Sequence, residues 1–406
     1  MINFPRNFLW GAATSAYQVE GDNTNSDWWV WEKEKGLPQS GKACRHYELF
    51  REDFDLVKTL NHNCHRLSIE WSRIEPVEGK FSAPEIKHYQ DVIAALKERG
   101  IEPLVTLHHF TNPAWFAKLG DWQNKDASIY FLRYVDKIVN ALAKDVRYWV
   151  TINEPTVHVY YSYIFGTWPP GVKSASSAGR VMKNLLKGHV KAYRLIHKIY
   201  KSKGLNRPMV GFAHNMQDYV PCKNNLKNKL AVYIRNKFFN LDIIYSVLGK
   251  RALDFIGVNY YSRSLVELKK WGFKNLILDC CEGGHSALKK NSMGWDIYPQ
   301  GLKHILLGLK VFKKPIIILE NGICTEDDGL RWAFIRDHLK YMHEAISLGA
   351  NVIGYVHWSL MDNFEWDKGF VPRFGLIEVD YVNYQRKIRE SAKKFAEVCK
   401  TNSLSI

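Results

Sequence analysis

A chain of 406 residues fits either one elaborated barrel or two ordinary domains, because some barrel domains reach that length with their loops. An apolar content of 46% with 24% charged residues excludes a mainly disordered chain, a collagen and a membrane bundle. The net charge of +16 comes from lysines that occur singly or in pairs, which predicts a generally basic surface, with an anionic partner as the alternative.

Eight short apolar runs alternate with longer helical patterns along the chain. Each run is typical of a strand that is buried on both faces, as a parallel sheet requires. The predicted strands span residues 8–14, 64–69, 102–107, 148–152, 209–213, 255–259, 316–319 and 352–357. Helical spacing of apolar residues predicts helices at 53–61, 84–99, 127–142, 181–201, 229–248, 299–310, 330–348 and 384–400.

Eight strand-then-helix units predict an α/β fold, a single (β/α)8 TIM barrel with elaborated βα loops. No Gly/Ser-rich linker marks a boundary, so we expect residues 1–406 to form one barrel domain. The residues in excess of a minimal barrel should lie in loops. The candidates are residues 20–48, 160–177, 262–298 and 361–382.

The cysteines and the N-terminus indicate a cytoplasmic protein. Seven cysteines without a CxxC pair predict reduced, mostly buried thiols, and the adjacent Cys280 and Cys281 do not form a metal site by themselves. Residues 1–10 lack a basic region followed by an apolar stretch, so we expect no signal peptide. No apolar run approaches the roughly 20 residues of a membrane span, so we expect no membrane-spanning segment.

Two glutamates follow predicted strands directly, at the end of the barrel where active sites lie. Glu154 follows the fourth strand in the sequence NEP, and Glu320 follows the seventh strand in ENG. Strands four and seven face each other across a barrel mouth. Paired carboxylates there suit glycoside hydrolysis, because one protonates the leaving oxygen while the other attacks the anomeric carbon or activates water. A structural ion pair is the alternative for either glutamate alone, whereas the pair among aromatic residues favours a sugar site.

Seven motifs occur along the chain in an order that resembles one known family. They are FLWGAATSAYQVEG at 8–21, RLSIEWSRI at 66–74, NEP at 153–155, NYY at 259–261, MGW at 293–295, ENG at 320–322 and WSLMDNFEW at 358–366. Together they cover nearly the whole chain. The chain therefore resembles glycoside hydrolase family 1, the β-glucosidase and β-glycosidase family, as a member with short loops.

This resemblance implies a retaining exo-β-glycosidase that hydrolyses terminal β-glucosides, and also β-galactosides or β-fucosides, by double displacement. Glu154 would be the general acid/base and Glu320 the nucleophile, with carboxyl groups about 5–5.5 Å apart. The charge on Glu320 should raise the pKa of Glu154, so that Glu154 holds its proton near neutrality. Transglycosylation is expected when a sugar replaces water, and neither a metal nor a cofactor is expected.

Three further residues match the family's support for the nucleophile. Arg66 would keep Glu320 ionised, Tyr261 would donate a hydrogen bond to it, and Asn153 would bind the sugar 2-hydroxyl.

The resemblance also implies a set of residues that bind the sugar. Those that would hold the other hydroxyls are Gln18, His109, Glu365 and Trp366. Trp358 would form an apolar floor under the ring, because a sugar has apolar C–H faces and a polar rim. Trp295 would be the platform for the leaving group, and Phe374 and Trp168 are further candidates.

Two positions depart from the family pattern. Phe110 stands where many members have a tryptophan, so an indole N–H to the sugar 3-hydroxyl is lost. Thr156 replaces a bulky aromatic residue after Pro155, which should open the leaving-group site. Both changes concern specificity and leave the two glutamates in place.

Three other functions are weighed against the leading one. A 6-phospho-β-glycosidase is disfavoured because Glu365 would repel a phosphate at the sugar 6-position, where phospho-specific members carry a serine with a nearby lysine and tyrosine. A catalytically inactive sugar-binding module is disfavoured because both glutamates are present. Nucleic-acid binding lacks a recognisable motif and remains a side activity of the basic surface. The expected partners are β-glycosides or oligosaccharides, and the sequence does not fix the oligomeric state.

Overall fold

Eight parallel strands close into a barrel in the computed structural model, which describes residues 1–272, 275–276, 281 and 288–405. Neighbours in sequence are neighbours in the sheet, and the eighth strand pairs with the first. The strands are Leu9–Ala13, Cys64–Ser68, Glu102–Thr106, Tyr148–Asn153, Met209–Asn215, Ile256–Asn259, Ile316–Asn321 and Val352–Trp358. Every predicted strand is confirmed with ends within two residues, and so is the TIM-barrel fold.

Helices surround the barrel and connect its strands. The α-helices are Ala16–Val19, Asp27–Lys35, His46–Thr59, Trp71–Ile74, Ala83–Glu98, Ala114–Lys118, Ala127–Leu142, Pro155–Val159, Ala175–Ser202, Leu226–Arg235, Asp242–Gly249, Pro299–Leu309, Asp328–Ser347 and Glu390–Thr401. Short 3-10 turns lie at Asp121–Gln123, Lys310–Phe312 and Trp366–Lys368, and π-helical turns at Tyr160–Phe165 and Asn236–Leu241. In the described part of the chain, no helix has the length and apolar character needed to cross a membrane.

The hydrophobic core has two layers. One fills the barrel with buried side chains such as Ala13, Leu104, Val150 and Ile317. The other lies between the strands and the surrounding helices. Because both faces of every strand are buried, the strands read in sequence as continuous apolar runs.

The last predicted helix begins too early. Residues 384–400 were expected to be one helix, but Arg386–Ile388 is a strand that pairs antiparallel with Ile377–Val379, and the helix begins at Glu390. A residue from a distant part of the sequence holds the extended segment in place. Arg386 Nε donates to Asp53 Oδ1 at 2.8 Å, a contact that local periodicity cannot reveal.

Two cysteines differ from the expectation of free thiols. Cys222 is paired with Cys281 in a disulfide, whereas Cys44, Cys64, Cys324 and Cys399 are free and buried. The pairing follows from the short parallel sheet formed by Asp218–Pro221 and Arg263–Val266. The Cys222 and Cys281 amides donate to carbonyls of this second strand, which brings the cysteines together across 59 residues of sequence. Cys280 lies outside the described residues, as do residues 273–274, 277–279 and 282–287 of the predicted loop at 262–298.

Candidate active site

The turn after the fourth strand fixes the position of Glu154. Its backbone is left-handed, with φ 42° and ψ 60°, and Pro155 then begins a short helix. A non-glycine residue in this region, directly before a proline, costs on the order of 1–3 kcal/mol and persists only where its surroundings hold it. The Glu154 amide donates to the Ala213 carbonyl at 2.8 Å, which ties the turn to the fifth strand. The carboxyl group is thereby held at the barrel mouth.

Two asparagines at strand ends hold the Glu154 carboxyl group. Asn259 and Asn215 donate side-chain N–H groups to its Oε1 at 2.7 and 3.1 Å. Burial, followed by the charge of Glu320, raises the pKa of Glu154 to about 8 despite these hydrogen bonds. Since Oε1 accepts both bonds, Oε2 remains for the proton, and Glu154 is a carboxylic acid at neutral pH.

Glu320 stands near the end of the seventh strand, where the backbone passes close to the eighth. A Cβ added at Gly322 would lie 1.7 Å from the Trp358 carbonyl oxygen, so this position tolerates only glycine. The close approach joins the ends of strands seven and eight and sets the direction of the ENG turn. It places Glu320 and Trp358 on neighbouring strands of the same cavity.

Both oxygens of Glu320 accept hydrogen bonds. Arg66 Nη1 donates to Oε1 and the Tyr261 hydroxyl donates to Oε2, each at 2.5 Å. Burial and the nearby carboxylates raise the pKa of Tyr261 well above its ordinary value, so the tyrosine keeps the proton that it donates. Short charge-assisted bonds of this kind fix the orientation of a carboxylate.

The buried guanidinium of Arg66 links several strands at the mouth. Nη2 donates to Asn153 Oδ1 at 2.6 Å, Nη1 also donates to the Leu319 carbonyl at 3.2 Å, and Nε donates to Thr106 Oγ1 at 3.1 Å. Asn153 is oriented by this contact, and its Nδ2 lies 3.3 Å from His109 Nε2. Burial, followed by the charge of Arg66, lowers the pKa of His109 well below its ordinary value. The histidine is therefore neutral and can accept from Asn153.

A further carboxyl group, that of the half-buried Glu365, also lines the cavity. Gln18 Nε2 donates to the Phe364 carbonyl at 2.8 Å, to Asn363 Oδ1 at 3.0 Å and to Glu365 Oε2 at 3.3 Å. Burial, followed by the charge of Glu320, raises the pKa of Glu365 to about 8. Gln18 and Glu365 together present an amide and a carboxyl group to the cavity.

Aromatic rings form the walls between the polar groups. His109 stacks with Trp358 and Trp366 at centroid distances of 6.0 and 6.3 Å. On the opposite side, Trp295 and Phe374 each lie within 6.3 Å of the Tyr261 ring. The two walls give apolar faces around a polar rim, which is complementary to a sugar ring.

The predicted site residues come together in one place. A cavity of about 690 Å³ is lined by the predicted Gln18, His109, Asn153, Glu154, Tyr261, Trp295, Glu320, Trp358, Glu365, Trp366, Phe374 and Trp168. Arg66 lies behind Glu320, and Phe110 lines the same cavity. Thr156 lines an adjoining groove of about 300 Å³ instead.

The two asparagines that donate to Glu154 were not among the predicted site residues. Asn215 and Asn259 end the fifth and sixth strands, so the rule that found Glu154 and Glu320 could also have found them. Among the described residues, Cys222, Glu267 and Cys281 are close enough together to hold a metal ion. There the two sulfur atoms are bonded to each other, which removes them as ligands.

Comparison with known proteins adds a family and several relatives. The model of glycosyl hydrolase family 1 matches residues 1–250 and 241–404. A β-glycosidase structure from Pyrococcus horikoshii has a TM-score of 0.93 at 38% identity, covering 100% of this chain and 96% of that one. β-Glucosidase A of Acetivibrio thermocellus is 30% identical over 99% of each chain. A 6-phospho-β-galactosidase of Clostridium acetobutylicum is 30% identical over 98% of this chain and 97% of that protein.

Proposed function

This chain belongs to glycosyl hydrolase family 1 and is an O-glycosyl hydrolase of the β-glucosidase type. We propose that it removes single β-linked sugars from chain ends with retention of configuration. The preferred substrates are β-glucosides, followed by β-galactosides and β-fucosides. The observation that carries the proposal is the shared cavity of Glu154 and Glu320, in which burial and the charge of Glu320 raise the pKa of Glu154 to about 8 and Glu320 accepts hydrogen bonds from Arg66 and Tyr261. We treat residues 1–406 as one catalytic unit, and a cytoplasmic location stays a prediction.

In the first step a carboxylate oxygen of Glu320 attacks the anomeric carbon. The bond to the leaving oxygen breaks as Glu154 gives that oxygen its proton, and the sugar becomes an ester of Glu320. Asn153, which Arg66 orients through Oδ1, is placed to contact the 2-hydroxyl, where hydrogen bonds strengthen in the transition state.

The second step reverses the role of Glu154. Once Glu320 is an ester it carries no charge, so the pKa of Glu154 falls and its carboxylate can take a proton from water. The oxygen of that water attacks the anomeric carbon and releases Glu320. A sugar hydroxyl in place of water gives transglycosylation.

The hydrogen-bonded pair of Gln18 and Glu365 in the cavity supports exo action on one sugar. Gln18 and Glu365 would bind the hydroxyls farthest from the cleaved bond, and His109 and Trp366 the hydroxyls between. Trp358 lies under the ring, whereas Trp295 and Phe374 border the leaving group on the side of Tyr261.

A leaving-group series tests the division of labour. Glu154→Ala should lose far more rate on alkyl β-glucosides than on nitrophenyl β-glucoside, and azide should restore part of the rate on the latter. Trp271→Ala, at an exposed position that does not line the cavity, is the matched control and should keep the rate of the unmodified enzyme. Equal losses on good and poor leaving groups would remove Glu154 from the acid role.

A phosphorylated sugar is the second candidate, because one relative is named a 6-phospho-β-galactosidase. In the cavity, Gln18 donates to Glu365, and the nearby Lys368 is paired with Asp367 at 2.7 Å. A phosphate there would meet a carboxyl group instead of a free cation. We therefore expect nitrophenyl β-galactoside to be hydrolysed much faster than its 6-phosphate, and the opposite order would replace the proposal.

A further inference from the structure

One helix exposes an apolar stripe on its outer face. In Leu226–Arg235, the side chains of Leu226, Leu230 and Tyr233 follow one another at the spacing of a single helical face. Their exposed fractions are 84%, 41% and 65%. A surface helix ordinarily turns polar residues outward, so this stripe needs an explanation.

The stripe is not the face that attaches the helix to the protein. On the opposite side Ala231 is buried and packs with Val266 and Leu268. Arg235 is also buried, and its Nε donates to the Leu276 carbonyl at 2.8 Å. The helix is therefore anchored through one side while its apolar stripe faces outward.

An exposed tryptophan lies in a segment that contacts the N-terminal turn of the helix. Lys227 Nζ donates to the Lys269 carbonyl at 2.8 Å, which brings the segment with Trp271 beside the first turn of the helix. Trp271 is 65% exposed. We call Leu226, Leu230, Tyr233 and Trp271 the apolar patch.

The helix of the patch lies in a basic part of the sequence. Between residues 223 and 251 the sequence has seven lysines and arginines and one acidic residue. That acidic residue, Asp242, is paired with Lys237 at 2.8 Å. Exposed Lys229 lies within the stripe itself. This segment is therefore a concentrated part of the net charge of +16.

We propose that the apolar patch docks the enzyme onto the surface of an anionic lipid membrane. Leucine, tyrosine and tryptophan side chains enter the boundary between headgroups and acyl chains, while flanking lysines attract anionic headgroups. A second copy of the chain is a poorer occupant, because exposed basic residues beside its patch, such as Lys229, would face the same residues of the first copy.

The position of the patch relates docking to the active site. The helix follows the fifth barrel strand, so Leu226 lies toward the end of the barrel where the cavity opens. The groove of about 300 Å³ adjoins the catalytic cavity, with which it shares Tyr161 and Asn215, and Arg235 of this helix forms part of its wall. Docking would thus bring a lipid surface close to the mouth.

Co-sedimentation of the full-length protein with vesicles tests the proposal. We expect binding to vesicles of phosphatidylserine and phosphatidylcholine in equal amounts, and much weaker binding to phosphatidylcholine alone. Leu226→Ser with Trp271→Ser should reduce binding at least about tenfold, from the transfer free energy of the two side chains. Lys229→Ala should reduce it roughly fivefold, since each basic residue near the surface contributes about 1 kcal/mol.

Leu348→Ser is the matched control, because Leu348 is also exposed but lies away from the patch, at the end of helix Asp328–Ser347. This variant should bind to vesicles like the unmodified protein. Turnover of nitrophenyl β-glucoside verifies that every variant is folded. Absence of binding to the anionic vesicles would overturn the proposal. So would a dimer in sedimentation velocity that the Leu226→Ser, Trp271→Ser variant abolishes, since the patch would then be a contact between copies.

Discussion

Replacing Glu320 by glutamine tests how the two catalytic carboxyl groups control each other. The pKa of Glu154 is raised from 4.5 to about 8, first by burial and second by the charge of Glu320. Glutamine removes the charge but keeps an oxygen that can accept from Arg66 and a side chain of the same size. The variant therefore separates the electrostatic cause from burial.

The size of the effect follows from the separation of the carboxyl groups. In retaining enzymes this is about 5.5 Å, where two unit charges at an effective dielectric constant of about 20 interact by about 3 kcal/mol. That energy corresponds to a change of about 2 in pKa. In Glu320→Gln the pKa of Glu154 should thus fall from about 8 to about 6, and burial should keep it above 4.5.

The assay is a carbon-13 NMR titration of protein with labelled glutamate carboxyl groups, in which a Glu154→Gln spectrum identifies the Glu154 resonance. In the unmodified enzyme, kcat/KM should fall above about pH 8 as Glu154 loses its proton, which gives an independent value. A trapped ester of Glu320 should give the same lowered pKa as the glutamine variant.

Two results would refute this reasoning. An unchanged pKa of Glu154 in Glu320→Gln would mean that the nucleophile charge does not act on the acid, and the switch between the two steps would have no cause. A fall to the ordinary value of 4.5 would mean that burial contributes nothing.

Three further predictions concern the groups around this pair. Glu365→Gln should stabilise the protein at pH 9 and have little effect at pH 4. The reason is that a carboxyl group with a folded pKa of about 8 contributes stability at low pH, and this stability is lost as the pH rises through 8. Thermal unfolding at both pH values measures the effect, and equal shifts in the unfolding temperature at both would contradict it. Asn259→Ala removes a hydrogen bond that lowers the pKa of Glu154, so the alkaline limb of kcat/KM should move upward, and a downward move would count against the assignment. Arg66→Lys should lower kcat/KM on nitrophenyl β-glucoside by at least about tenfold, with little change in the dependence on the leaving group. An ammonium group lacks the planar pair of N–H donors with which the guanidinium contacts Glu320 and Asn153 at the same time. Activity near that of the unmodified enzyme would argue against a positioning role.

The sequence predicted the barrel because its signal is local and repeated. Each strand is buried on both faces, so its apolar run is uninterrupted, as in 316–319 before Glu320. The rule that active sites lie at strand ends then located Glu154 and Glu320 without any distance information. The structure places the predicted residues other than Arg66 around one cavity, whereas their individual roles stay proposals.

What escaped prediction depends on long-range contacts. Arg386–Ile388 is extended because a hairpin and the Arg386 ion pair with Asp53 hold it, while its own sequence reads as the start of a helix. The Cys222–Cys281 pair is similar, since both ends are positioned by a small sheet whose strands are far apart in the chain. Asn215 was overlooked because a single asparagine at a strand end forms no motif, and Asn259 because only Tyr261 of the NYY motif was given a role.

Because of Arg66, a change to the catalytic nucleophile also changes the stability of the folded protein. Its guanidinium is buried, and Glu320 is the carboxylate that it contacts. A change of Glu320 to glycine would leave a charge inside the barrel with only neutral acceptors, at a cost of roughly 3–5 kcal/mol by comparison with other broken buried pairs. Loss of hydrolysis through a change at Glu320 is therefore costlier for the fold than loss through Glu154, unless Arg66 is replaced as well, which favours some evolutionary routes from enzyme to inactive sugar receptor over others.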